Sequence, residues 1–211
     1  MGFSTLLDII GSTIIGASLL LILFQMNDVA TENTYTYASS LTVQQSLVEV
    51  VTLIEYDFRK IGYCQTWSMI PDPTQAILYA DDHDISFLTD VSPTDGVVDT
   101  IRYYIGPTSD LTATSNPRDR ILYRIVNNAA PAGSNLGVTQ FDLKYFNALG
   151  DSISTPVAFT GEIQTMQINI TVENTEPMTT FYQSETGGLD TLYTSVFWRQ
   201  IRLVARNLRN R

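Results

Sequence analysis

Carboxylates are the residues of this 211-residue chain whose number and spacing could do chemistry. Asp81, Asp82, Asp84, Asp90, Asp95 and Asp99 crowd into one short stretch. Hard oxygen ligands at that density could take calcium, with Asp81, Asp82 and Asp84 as the tightest set. The spacing is not that of a helix-loop-helix calcium motif, and aspartate is also a common turn residue, so a set of solvated acidic loops accounts for the same residues. His83, the single histidine, lies among them. Beside Asp82 or Asp84 it could serve a hydrolase, but one imidazole excludes a multi-histidine metal centre. The single cysteine, Cys64, excludes an intramolecular disulfide and a CxxC redox or zinc site. No phosphate-binding glycine loop, no G-x-S-x-G and no paired acid and base are found. The chain reads as a non-enzyme with no cofactor, calcium being the one ligand its side chains would suit.

Two further sets of charges stand out. Asp8 is the only charged residue in an apolar run from Gly2 to Phe24, and no Lys or Arg precedes Arg59. An acid at that depth in lipid costs about 2.5 kcal/mol or more, so it normally has a partner or a function. It could neutralise the terminal amine of a neighbouring subunit, or rest against the positive end of its own helix. At the other end Arg199, Arg202, Arg206, Arg209 and Arg211 supply five of the 12 basic residues. They could pair with acids of an adjacent subunit, or form the solvated face of a last strand. The net charge of -10 and pI near 4.4 argue against nucleic-acid partners, which need a basic face. Asn169-Ile170-Thr171 matches a glycosylation sequon inside a strand pattern, where chance explains it.

The elements that position these groups follow from periodicity. About 20 apolar residues suffice to span a bilayer as a helix. Gly11 and Gly16, with Ser12, Thr13 and Ser18, give that helix small residues that permit close approach of another. Ala30 to Ser46 is polar and a poor helix by propensity. Leu47, Val51, Ile54, Phe58 and Ile61 then form one apolar stripe, with Glu55 and Arg59 off it as an i,i+4 pair. Gly62 is a stop. The reading is one helix from Ser4 to Ile61, with a break near Asn27-Asp28, roughly 85 Å long at 1.5 Å per residue. Residues 1–28 are its membrane or filament-core half and 29–62 its amphipathic half.

From 63 to 211 the chain reads as a globular antiparallel β-sheet domain. The expected strands are Ala76–Tyr79, Ile85–Leu88, Thr100–Ile105, Arg120–Val126, Thr139–Phe146, Glu162–Val172 and Thr194–Asn207. Clean alternation in Met166 to Val172 means one wet and one dry face. The dry face would cover the stripe from Leu47 to Ile61, giving an α+β fold with a long N-terminal helix on an antiparallel sheet. Cys64 and Trp67, just past the helix, are expected in the core or at its edge. Strand propensity explains the tyrosines.

Gly2-Phe3-Ser4-Thr5-Leu6-Leu7-Asp8 resembles a degenerate type IV pilin N-terminal signature. Leu53-Ile54-Glu55-Tyr56-Asp57-Phe58-Arg59-Lys60-Ile61-Gly62-Tyr63 is similar to the helix end of PilW-like minor pilins and of J-type minor pseudopilins of type II secretion. Asp99-Thr100-Ile101-Arg102-Tyr103-Tyr104, Leu122-Tyr123-Arg124, Gly137-Val138-Thr139-Gln140-Phe141 and Arg202-Leu203-Val204-Ala205-Arg206-Asn207-Leu208-Arg209 also resemble that family. The resemblance implies storage in a bacterial inner membrane, then polymerisation into an extracellular filament with other pilins or copies of itself. It implies an assembly motor and a prepilin peptidase that cuts after Gly2 and leaves N-methyl-Phe3. The family's acid is expected at the fifth position, which is Leu7 here, with Asp8 one later; counted from Met1, the fifth position is Thr5. A surface pilus, a secretion pseudopilus and a DNA-uptake fibre share this architecture. The other class consistent with the residues is a membrane-anchored extracytoplasmic binding module that does not polymerise.

Overall fold

A computed structural model describes residues 2–92, 95–177, 179–182, 189–193 and 197–204. Helix α1 runs from Gly2 to Arg59 without interruption, 58 residues in all. The expected break at Asn27-Asp28 is absent. Those two side chains cost a helix only some tenths of a kcal/mol each, and neither Gly nor Pro occurs between Ala17 and Ile61 to stop it. The polar stretch stays helical because its hydroxyls are satisfied along the axis. Thr31, Thr34 and Thr36 donate to the carbonyls of Asn27, Ala30 and Glu32 at 2.8–2.9 Å. By contact density the chain divides into a unit of residues 1–40 and a unit of residues 41–211.

In the larger unit the helix ends in tight turns. Lys60 and Ile61 donate to the carbonyls of Asp57 and Phe58, and Gly62 follows at φ +73°. Positive φ suits glycine, which has no Cβ to clash, so Gly62 is the stop its sequence position suggests.

Ten strands follow. They are β1 (Ile77–Ala80), β2 (Asp84–Thr89), β3 (Asp99–Ile105), β4 (Arg120–Val126), β5 (Ala132–Phe146), β6 (Ser152–Ile153), β7 (Thr165–Val172), β8 (Thr179–Tyr182), β9 (Leu189–Leu192) and β10 (Phe197–Val204). Eight form one antiparallel sheet in the order β1-β2-β3-β4-β5-β7-β10, with β6 paired to β5. The pair β8-β9 stands as a separate hairpin. The sheet's dry face alternates as the pattern demands: Met166, Ile168, Ile170 and Val172 of β7 are buried and the residues between them are not. Val43, Val50, Val51, Ile54 and Phe58 of α1, and Ile61 just past its end, form one core with Phe87, Ile101, Tyr103, Phe141, Leu143 and Tyr145. Val43 and Val50 widen the apolar stripe beyond the residues its strict spacing selects, and Leu47 is only partly covered.

Several boundaries differ from expectation for local reasons. Strand β7 begins at Thr165 rather than Glu162 because Thr160–Glu162 forms a one-turn 3-10 helix. Strand β5 begins at Ala132 rather than Thr139, since its first part pairs with β4 and its second with β7. The register shifts between Val138 and Gln140. The hairpin and β6 were not legible as strands. Of the two residues expected in the core or at its edge, Cys64 is buried and Trp67 is 69% exposed. The ends of the expected strand Thr194–Asn207 lie outside the described residues.

Gly137 makes the handover in β5 possible. Its φ is +69°, and a Cβ there would stand 2.1 Å from the Glu173 carbonyl oxygen. Gly137→Ala is expected to cost about 2–3 kcal/mol, combining strain at positive φ with backbone displacement. Urea unfolding would check it; a loss under about 0.5 kcal/mol would show that β5 and β7 part easily.

Candidate functional site

In the unit of residues 2–40, helix α1 is almost wholly exposed. Phe3, Leu6, Ile10, Ile14, Leu20 and Phe24 all exceed half of their full accessibility, with Phe3 at 80%. Helix α1 is long and apolar enough to cross a membrane, with a mean hydropathy of 2.2 over its most apolar window. Its hydroxyls do not oppose that. Thr5, Ser12, Thr13 and Ser18 donate to carbonyls three or four residues back at 2.7–3.1 Å. A hydroxyl satisfied on its own helix avoids the cost of an unpaired polar group in hydrocarbon.

Asp8 is exposed on this helix. Residues 1–40 contain no Lys or Arg, so no basic side chain of this unit can neutralise it. Gly11 and Gly16 both open to space, with no atom within 4 Å of an added Cβ. Five positions turn an α-helix by about 140° beyond one revolution, so the two glycines do not share a face. Ser4, Asp8, Gly11 and Ser18 do share one, by the same spacing. The side chain at Phe3 stands at the most exposed end of the run.

The second half of α1, in the larger unit, is held by a buried polar knot. Asp57 is 2% exposed. Its carboxylate accepts from the Tyr103 hydroxyl at 2.5 Å and from Arg124 Nε at 2.7 Å. Arg124 Nε also lies 3.1 Å from the Tyr103 oxygen. Burial, then the charge of Asp57, pushes the Tyr103 hydroxyl well above its ordinary range. Burial alone would lower Arg124, but its bonds to Asp57 and Tyr103 more than offset this, so it is held charged. The knot ties α1 to β3 and β4 at one register. One polar residue amid Tyr56 and Phe58 was its only trace in sequence.

Glu55 pairs with Arg59 at 3.2 Å, the i,i+4 bond expected, and with Arg199 of β10 at 3.7 Å. Arg199 thus has an acid within its own chain. Arg202 stands opposite Gln167 in the β7–β10 ladder. Arg206 lies outside the described residues.

The aspartates around His83 are not brought together as a cation site. Asp84 forms a two-point pair with Arg102, Nε to Oδ1 at 3.0 Å. Asp81 accepts from the Tyr79 hydroxyl and Asp82 from the Thr155 hydroxyl. Asp99 accepts from the Val91 amide and the Asn127 amide group. Among the described residues no group of three or more His, Cys, Asp or Glu could hold a metal ion. His83 turns to neither Asp82 nor Asp84. Its Nδ1 lies 2.9 Å from the Phe141 carbonyl and 3.2 Å from Asp142.

With this geometry in view, comparison with known proteins adds little. No family model matches the chain, and no curated protein matches it. Among solved structures, a type IV-like pilin from Thermus thermophilus overlays with a TM-score of 0.43 at 10% identity. The overlay covers 78% of this chain and 96% of that one. An overlay so loose carries no argument about activity.

Proposed function

We propose that this chain is a structural subunit of a type IV pilin-like filament, drawn from a membrane through α1. The observation that carries the reading is the exposed apolar surface of residues 2–26, on a helix that buries an apolar stripe in the core only from Val43 to Phe58. Such a surface in water would forgo about 25 cal/mol per Å² of apolar area, so it belongs in lipid or against other helices. Lipid and helix surfaces are equally apolar, so leaving one for the other is nearly neutral, and packing detail decides the outcome. The face of Ser4, Asp8, Gly11 and Ser18 provides that detail: small residues for close approach and one acid for an amine or other donor of a neighbour. The motor, the peptidase and N-methylation of Phe3 are part of this reading through the resemblance of Gly2 to Asp8 and Leu53 to Tyr63 to pilins. Pilus and secretion pseudopilus are both compatible with it.

The test places a cysteine at Ser18, which is safe because Cys64 is buried. Oxidation of cells making Ser18→Cys should give cross-linked dimers and filaments in the fraction sheared from the surface. Asp8→Ala should leave membrane levels intact and reduce the sheared fraction at least about tenfold, as loss of a buried charge pair does. Protein found only as uncross-linked monomer in membranes would overturn the filament and leave an anchored module.

A further inference from the structure

The larger unit holds a second acidic site that the filament reading does not use. Asp119 is 1% exposed, and neither of its carboxylate oxygens has a hydrogen-bond partner. The Thr114 hydroxyl oxygen is buried beside it and is the one nearby hydroxyl that favours its charged form. Glu173, at the end of β7, is 7% exposed and near enough for its charge to oppose ionisation of Asp119. The donors in this neighbourhood are already committed. Arg118 gives Nε at 3.0 Å and a second nitrogen at 2.6 Å to Glu173 Oε2, and Asn116 gives Nδ2 to the same oxygen at 3.0 Å. Arg118 is therefore spent on Glu173, and reaches Asp119 only through its charge at a distance.

The backbone aims Asp119 inward by design. The Arg118 amide donates to Asn116 Oδ1 and the Asp119 amide to the Asn116 carbonyl, closing a turn. Tyr193, after β9, clamps that turn from outside. Its hydroxyl donates to the Ser115 carbonyl at 2.5 Å, and its ring lies 5.3 Å from the Arg118 guanidinium carbon.

A buried carboxylate with both oxygens unpaired is costly, and a fold keeps one where something binds it. We propose that Asp119, with Thr114 Oγ1 and the Glu173 carboxylate, forms a site for a hard divalent cation of calcium size. Calcium accepts six to eight oxygens in irregular geometry, so loop carbonyls and water can complete such a set. Magnesium demands a near-ideal octahedron and suits it less. Bound there, the ion would join the 114–119 turn to the end of β7 and, through Tyr193, to the strand pair β8-β9. This site is separate from the Asp81–Asp84 stretch and does not depend on the filament reading.

The experiment uses the full chain in detergent micelles, stripped with chelator and titrated with calcium. Calorimetry and terbium luminescence report binding, and thermal unfolding reports stability. Calcium should raise Tm near pH 7.5, with magnesium weaker. Asp119→Asn keeps the shape and removes the charge. It should fold at least as stably as the wild type without calcium, lose the calcium-dependent Tm shift, and bind terbium at least about tenfold more weakly. No binding and no Tm shift in the wild type would overturn the site. So would unchanged affinity in Asp119→Asn, which would place the ion on surface acids.

Discussion

Asp57→Ala should cost the fold about 3–5 kcal/mol, because it strands a partly buried guanidinium and a buried phenol at once. The Arg124 side chain is 24% exposed and that of Asp57 only 3%. Water can therefore replace the lost carboxylate only in part. Arg124→Met should cost nearly as much, by leaving the Asp57 charge with the Tyr103 hydroxyl alone. Tyr103→Phe keeps the ion pair and should cost only about 1–2 kcal/mol, that of one hydrogen bond to a charged group. The pair Asp57→Ala with Arg124→Met should then lose less than the sum of its two single changes, since neither charge is stranded. Urea unfolding of the full chain in micelles, followed by the sheet's circular dichroism, measures all four. Additive losses would mean the knot is not one unit. A loss below about 1 kcal/mol for Asp57→Ala would mean that the helix is registered on the sheet by apolar packing alone.

That knot shows where sequence reading stops. The 3.6-residue stripe and the alternation of β2 and β7 announce themselves, because burial imposes a period that apolar residues obey. Asp57 falls in step with the buried Val43 and Val50 at seven-residue spacing, but an acid there reads as one more charge beside Glu55 and Arg59, which lie on the wet side. Its role depends on Tyr103 and Arg124, which lie 46 and 67 residues further along the chain. The same holds for Asp119, whose significance rests on what Asn116, Arg118 and Glu173 do with their own donors and acceptors. The six aspartates from Asp81 to Asp99 mislead in the opposite direction. They look like a site because they are close in sequence, yet the β2–β3 pairing gives Asp84 to Arg102, and turns consume others. Strand β5 was cut short for a related reason: Gly137 reads as a strand breaker, but its positive φ carries the strand past a bulge to a new partner. On the first half of α1, composition alone is decisive, since a surface that apolar has few places to go.

Phe58→Ala should be as damaging as the loss of Asp57, at about 3–5 kcal/mol, and comparison with Phe24→Ala separates folding from assembly. Phe58 has no exposed surface, and its ring meets Phe87 edge-on at 5.3 Å and Tyr103 at 5.6 Å. Removing it opens a cavity between the helix and β2 and β3 that such a core fills only partly. Phe58→Leu, which keeps most of the volume, should cost about half as much or less. Phe24 is the same residue type on the same helix but 59% exposed. With no core to lose, Phe24→Ala should shift the unfolding of the sheet by less than about 0.5 kcal/mol. If residues 2–26 serve helix-to-helix packing, it should instead lower the yield of sheared filaments or weaken membrane retention. Unfolding curves and fractionation of the two variants therefore read the two halves of one helix independently. A Phe24→Ala protein unfolding as early as Phe58→Ala would contradict the division, because the exposed half would then be contributing to the fold. A Phe58→Ala loss under about 1.5 kcal/mol would say the sheet, and not the helix beneath it, carries the stability of the domain.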